Sequence, residues 1–103
     1  MNNDLQTNQV IRSAAEVATP NAVAYLRQMC NHFRHKRPVM NDELSGQISF
    51  PVGECRLSAR EDVLTLSLDA PAAAQMAQLQ EVVNRHLIRF AFREELKIDW
   101  RPA

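Results

Sequence analysis

The chain has 103 residues, the usual size of one domain, and its 46% hydrophobic and 23% charged content is that of an ordinary globular protein. Twelve basic and twelve acidic side chains cancel, so the composition provides no general attraction to nucleic acid or to an anionic membrane. With no secretory signal, no apolar run of membrane-spanning length and only two cysteines, we expect a cytoplasmic protein with free thiols rather than a disulfide framework.

The chain begins with a polar segment and a short alternating run. Residues 1–9 are polar and without pattern, which predicts a disordered tail ahead of one α+β domain over residues 10–103. Small or apolar side chains then alternate with the others at Ile11, Ser13, Ala15 and Val17. This period of two predicts a first strand.

A helix is predicted next. Thr19 can cap it, and Pro20 suits the first helical position, where a missing N–H costs nothing. The apolar stripe of this helix consists of Ala22, Leu26, Met29, Cys30 and Phe33. The helix is expected to end before Pro38, so that the basic residues 34–37 fill its last turn, where cations suit the helix dipole.

After a polar loop, three alternating runs predict three strands. Their inward side chains are Ile48 and Phe50 in the first, Cys55, Leu57 and Ala59 in the second, and Leu64, Leu66 and Leu68 in the third. The connections, 51–53 and 60–62, are short. Short turns between alternating strands indicate an antiparallel meander with one buried face.

A second helix and a closing strand complete the predicted fold. Asp69-Ala70-Pro71 is interpreted as an acidic cap with proline close behind. The stripe of the second helix is Met76, Leu79, Val82, Val83, His86, Leu87 and Phe90. Leu96, Ile98 and Trp100 then alternate as a last strand.

Each predicted element has one apolar face, which favours an α+β fold in the order β-α-β-β-β-α-β, with two helices on one face of an antiparallel sheet of about five strands. The predicted core is Leu26, Met29, Phe33, Ile48, Leu57, Leu64, Leu66, Leu79, Val83 and Phe90. The other sheet face, rich in arginine, glutamate, serine and threonine, is expected to be solvated or to form a contact surface.

Cys30, His32 and His35 have the residue types of metal ligands but not the geometry. At about 100° per residue, Cys30 and His32 lie roughly 160° apart around the helix and cannot bind one ion. His32 and His35 share a flank, but they make only half a site. We therefore predict no metal centre and interpret Cys30 as a small core residue.

His86 is the most unusual residue of the second helix because it lies within the apolar stripe. A neutral core histidine with one hydrogen bond is the plain interpretation. The functional interpretation is a base or ligand in a pocket, meeting His32 or His35 across the seam between the helices. The sequence leaves both open.

Two basic groups lie on the helices. Arg34, Lys36 and Arg37 form either a solvated helix end or a binding site for an anion such as a phosphate or a catecholate-type chelate. A row of arginines, Arg85, Arg89 and Arg93, is followed by Glu94 and Glu95 and is interpreted as an ion-pair ladder. Neither group shows the basic excess with interleaved aromatics of a nucleic-acid domain.

Two segments resemble a known family. Residues 30–36, Cys-Asn-His-Phe-Arg-His-Lys, are followed by Pro38, and the longer segment 85–96 is followed by Trp100. Both are similar to the small bacterial family called domain of unknown function 2218, over about residues 13–101. The resemblance implies a stand-alone protein of this size with a link to ferric-siderophore uptake, and it implies no established catalytic or binding residues.

These patterns predict a non-catalytic ligand-binding or accessory module rather than an enzyme, since no phosphate loop, nucleophile elbow or zinc spacing occurs. The expected ligand is a small anion or ferric chelate in a cleft between the helices, with no cofactor identified. The candidate binding residues are His32, His35, Lys36, Arg37, His86 and Arg89. The alternatives are an interaction protein that pairs with itself through the sheet face or edge, and a small enzyme with a histidine acid–base.

Overall fold

The computed structural model describes residues 10–103, so the predicted tail at 1–9 lies outside the described residues. The elements in chain order are β1 (Ile11–Ala18), α1 (Ala22–Phe33), β2 (Val39–Asn41), β3 (Ser45–Phe50), β4 (Gly53–Arg60), β5 (Val63–Ala70), α2 (Ala73–Phe90) and β6 (Arg101–Pro102). The strands form one antiparallel sheet in the order β2-β3-β4-β5-β1-β6. The predicted α+β architecture is confirmed, with a sixth, short strand.

The core lies between the two helices and one face of the sheet. Leu57 and Leu66 are directly opposite each other on β4 and β5, and they are 2% and 0% exposed. Leu26 from α1 and Leu79 from α2 belong to the same buried cluster. The alternation in the strands and the helical stripes therefore identify the same interior, as predicted. Phe90 is the exception, because it is only partly buried at the edge of the core.

The two edge strands of the sheet differ from the predicted strands in their positions along the chain. β2 falls within the segment predicted as a polar loop, where three residues pair with β3. The segment from Leu96 to Trp100 is not a strand, although its alternate side chains are partly buried against the core. Pairing with β1 begins only at Arg101, opposite Ala14. Alternation in this segment reports burial and not hydrogen bonding to a neighbouring strand.

Both helix starts were also predicted too early. α1 begins at Ala22, and the Thr19 hydroxyl accepts a hydrogen bond from the Asn21 N–H at 3.1 Å instead of capping the helix. α2 begins at Ala73, while Asp69 remains in β5 and accepts a hydrogen bond from Arg56 at 2.7 Å. Neither Thr19 nor Asp69 caps a helix, because their side chains form hydrogen bonds with Glu94 and Arg56.

The turn between β4 and β5 places two non-glycine residues in the left-handed region, Glu61 at φ 49° and Asp62 at φ 60°. A two-residue hairpin with positive φ at both positions is a type I′ turn, which suits the twist of the strands but favours asparagine and glycine. The Asp62 carbonyl accepts a hydrogen bond from the Thr19 N–H at 2.9 Å. The turn thus connects the hairpin to the segment that leads into α1.

Both cysteines are buried thiols, as predicted. Cys30 lies against Gly46, where an added Cβ would come within 2.6 Å of the Cys30 Sγ. Burial raises the pKa of Cys55 to about 12. Neither thiol is therefore available as a nucleophile in the folded domain. Within residues 10–103, no helix combines the length and the apolar character needed to cross a membrane.

Candidate functional site

His32 and His86 meet across the seam between the two helices. Their ring centroids are 4.8 Å apart and the rings are tilted by 53°. Phe33 lies beside both rings, at 4.8 Å from His32 and 4.7 Å from His86, and Phe90 lies 5.7 Å from His32. Phe33 also packs edge-on against Phe50 of β3 at 4.9 Å. The seam thus ends in a cluster of five aromatic rings. We use the name seam patch for these rings together with two neighbouring cations. Its residues are His32, Phe33, Lys36, Phe50, His86, Arg89 and Phe90.

The hydrogen bond of His86 fixes its tautomer. His86 Nδ1 lies 2.8 Å from the carbonyl oxygen of Val82, one turn earlier in α2. A carbonyl oxygen can only accept, so Nδ1 carries a proton and, in the neutral ring, Nε2 keeps its lone pair. His86 is partly buried rather than fully enclosed. The ring therefore combines the hydrogen bond of a core histidine with one nitrogen that remains available.

The surroundings of His32 are cationic. Its side chain is exposed, yet its pKa is lowered, first by desolvation and then by repulsion from His86, Lys36, Arg89 and His35. No carboxylate is among these neighbours. A site in which several positive groups surround a neutral imidazole attracts anions, because an anion relieves their mutual repulsion.

The predicted binding residues lie on α2, in the last turn of α1 and in the turn that follows α1. His86 and Arg89 are on α2, and His32 is in the last turn of α1. His35, Lys36 and Arg37 lie in the turn beyond α1 and are exposed. The N–H groups of Lys36 and Arg37 both donate to the Phe33 carbonyl, at 2.9 and 2.8 Å, which ties this turn to the helix end.

Arg34, in the basic group at the end of α1, is exposed and donates to the side-chain oxygen of Asn41 in β2 at 2.6 Å. The predicted ion-pair ladder of Arg85, Arg89 and Arg93 is wrong: none of the three makes an ion pair among residues 10–103. Glu94, their expected partner, is bound by residues at the other end of the seam.

Glu94 is the centre of a polar cluster that the sequence did not reveal. One of its carboxylate oxygens accepts hydrogen bonds from the Thr19 hydroxyl at 2.9 Å, the Asn21 amide at 2.8 Å and the Tyr25 hydroxyl at 2.5 Å. These donors lower the pKa of Glu94, the Tyr25 bond contributing most. Burial, followed by the hydrogen bond to Glu94, raises the pKa of Tyr25. The donors are 69 to 75 positions away in sequence, so no local signal identifies them.

The His32 side of the seam patch is exposed to solvent. In the part of the chain that the structure describes, no group of three or more histidine, cysteine, aspartate or glutamate side chains is placed to hold a metal ion. Four depressions on the described residues lie elsewhere, and neither His32 nor His86 lines any of them. The largest of these four, about 580 Å³, lies over the outer face of the sheet beside Met40, Arg56 and Thr65.

The fold and the patch define a small α+β domain with aromatic rings and cations grouped at one end of a helix–helix seam. The chain belongs to the family described as uncharacterized protein conserved in bacteria (DUF2218), which matches residues 14–101. It is similar to a solved structure, "NMR structure of PA4090 from Pseudomonas aeruginosa", with 36% identity and a TM-score of 0.76 over 90% of this chain and 97% of that chain. No curated protein matches the chain. The predicted family and fold are confirmed.

Proposed function

We propose that this domain is a non-catalytic binding module that holds a small anionic, aromatic ligand on the seam patch. The observation that carries the proposal is the contact of His32 with His86 beside Lys36 and Arg89. Neither of these two cations forms an ion pair within residues 10–103, so both can bind an anion.

The chemistry of the patch favours an aromatic anion over a simple one. His32 is exposed, and Phe90 and His86 are partly buried, so these three rings can take another ring against them, with the buried Phe33 packed beneath. Lys36 and Arg89 can donate charge-assisted hydrogen bonds to carboxylate or phenolate oxygens at its rim. A catecholate, free or in a ferric chelate, combines these two features. A role in iron-chelate handling is therefore the specific form of the proposal.

Binding rather than catalysis is supported by how His86 is held. Its Nδ1 donates to a backbone carbonyl and not to a carboxylate. In a catalytic triad, a carboxylate stabilises the imidazolium that forms when the ring takes a proton. The partner of His86 Nδ1 is the Val82 carbonyl, which carries no full charge to offset an imidazolium. This arrangement suits a ring that holds a ligand better than one that takes and releases a proton.

The test uses four probes: 2,3-dihydroxybenzoate, its ferric complex, ferric citrate, and uncharged catechol as the neutral control. We expect the aromatic anions to shift the amide and imidazole NMR signals of His32 and His86, and catechol to bind more weakly. Arg89→Gln should weaken binding by roughly tenfold, the effect of losing a charge-assisted hydrogen bond.

The matched control is Arg60→Gln, which removes an exposed arginine at the end of β4. Affinity should be unchanged in this variant. If none of the four probes perturbs the seam patch, or if Arg60→Gln weakens binding as much as Arg89→Gln does, the proposal is wrong.

A further inference from the structure

The C-terminal end of α2 and the turn that follows it expose two large apolar side chains. Ile88, in the last turn of the helix, is 58% exposed, and Phe92, in the turn beyond it, is 77% exposed. The Ala91 N–H donates to the Leu87 carbonyl at 2.9 Å and closes the helix, while the backbone of Ala91 (φ −96°, ψ 41°) turns the chain out of it. Two exposed apolar side chains, four positions apart in sequence, thus mark this end of α2.

Arginines border this area. Arg85 and Arg89 precede Ile88 and Phe92 along the helix, and the Arg93 guanidinium lies 5.3 Å from the centre of the Phe92 ring. None of these arginines pairs with a carboxylate among residues 10–103. Elsewhere on the described surface, by contrast, Arg12 and Arg56 share Asp69. The positive charge beside the apolar pair is thus unneutralised within the described domain.

We propose that this surface, formed by Arg85, Ile88, Arg89, Phe92 and Arg93 and called here the α2 outer patch, binds an acidic segment of a partner protein. The segment seats a large apolar side chain between Ile88 and Phe92 and directs carboxylates at the arginines. Arginine and aromatic side chains are the residue types that carry most of the energy in protein interfaces. The surface has both, with the charge that an acidic partner complements.

Two other occupants fit less well. A second copy placed on the patch by twofold symmetry would bring the arginine row against its own copy, since such an interface pairs the same surface with itself. A lipid surface would meet only two apolar side chains, far fewer than the continuous apolar face of an interfacial helix. An acidic protein segment satisfies the charge and the apolar pair together.

The experiment selects short peptides from a random displayed library on the 103-residue chain. The same library is selected in parallel on an Ile88→Ser/Phe92→Ser variant and on Met40→Ser, which removes a 70% exposed side chain on β2 as a matched control. We expect enriched peptides to combine aspartate or glutamate with a large apolar residue. They should bind Met40→Ser as tightly as the parent and the double variant roughly tenfold more weakly. The melting temperature of each variant confirms that it is folded.

Charge is tested with Arg85→Glu, which should reduce the acidic content of the enriched peptides and make binding of the original peptides weaker and less salt-sensitive. The proposal is overturned if no peptide is enriched, if the enriched peptides have no acidic excess, or if they bind the double variant as well as the parent. It is equally overturned if the patch mediates sedimentation with phosphatidylglycerol vesicles or concentration-dependent dimerisation.

Discussion

The two ends of the helix–helix seam differ in residue type and in whether their charged groups are hydrogen-bonded within residues 10–103. At one end, the carboxylate of Glu94 accepts from Thr19, Asn21 and Tyr25. At the other, His32 and His86 meet beside Lys36 and Arg89, and no carboxylate of residues 10–103 pairs with these two cations. The two ends are seven residues apart on α1, about 10 Å along the helix axis. The hydrogen-bonded carboxylate stabilises the fold, whereas the two cations keep their donors for a ligand.

The largest effect tests whether the two ends belong to one cooperative body. Leu79 is fully buried on the inner face of α2, and Leu79→Ala should lower the free energy of unfolding by about 2–5 kcal/mol. Amide hydrogen exchange should then accelerate to the same extent at Tyr25 and at His32. A loss of protection confined to one end would show that the seam is two independent units.

A smaller effect is expected at the end of the seam that contains Glu94. Tyr25→Phe removes one donor to a charged acceptor while keeping the ring, and it should cost roughly 1.5 kcal/mol in urea denaturation. The pKa of Glu94 is lowered in the folded state, so its contribution is present above the ordinary value of 4.5 and is lost as the pH falls through the lower folded pKa. The difference between Tyr25→Phe and the parent should therefore shrink in acid. A constant difference from pH 7 to pH 3 would contradict this account.

The turn that supports Thr19 allows a stabilising change. Asp62 holds a positive φ of 60°, which glycine adopts without steric cost. Asp62→Gly should raise the free energy of unfolding by about 0.5–1 kcal/mol, because the relief of strain exceeds the entropy cost of glycine. Asp69→Gly, near the end of β5, is the control and should destabilise, because it puts glycine in a strand and removes the ion pairs with Arg12 and Arg56. A loss of stability in Asp62→Gly would show that the aspartate side chain is needed there.

The smallest effect is expected at the end of the seam that contains His32 and His86. His32 is exposed, and its pKa is lowered in the folded state, so protonation opposes folding. Stability is unaffected above the ordinary value of 6.5 and decreases as the pH falls through the lower folded pKa. His32→Asn should remove this slope while changing stability at pH 8 by less than about 0.5 kcal/mol. His35→Asn, in the adjacent turn, provides the comparison. A large loss at pH 8 would make His32 a structural residue.

The sequence predicted the interior well because burial is periodic. Leu57, Leu66 and Leu79 were assigned to the core from alternation and helical spacing alone, and all are buried. The same signal gave a false strand from Leu96 to Trp100, where the alternate side chains pack on the core but the backbone has no strand partner. Periodicity reports which side chains face inward, and hydrogen-bond partners must be inferred from other information.

The candidate site was predictable only where one helix determined it. His86 was recognisable because a polar ring lay within an apolar stripe, and its meeting with His32 was one of the arrangements considered. The Glu94 cluster was not predictable, since its donors come from the β1–α1 connection and α1. The same long-range contacts explain the incorrect arginine ladder. The carboxylate of Glu94, expected beside Arg93, accepts its hydrogen bonds from residues of the β1–α1 connection and of α1 instead.

The burial of Cys30 and Cys55 determines how this protein reacts with oxidants over time. Both sulfur atoms are enclosed by the core, and the Cys55 thiol resists ionisation, with a pKa of about 12. Oxidants react with exposed thiolates, so covalent cross-linking between chains must wait until the domain opens. Under oxidising conditions, a disulfide-linked dimer would therefore form only from molecules whose core has opened. Its rate of accumulation would follow the rate of that opening.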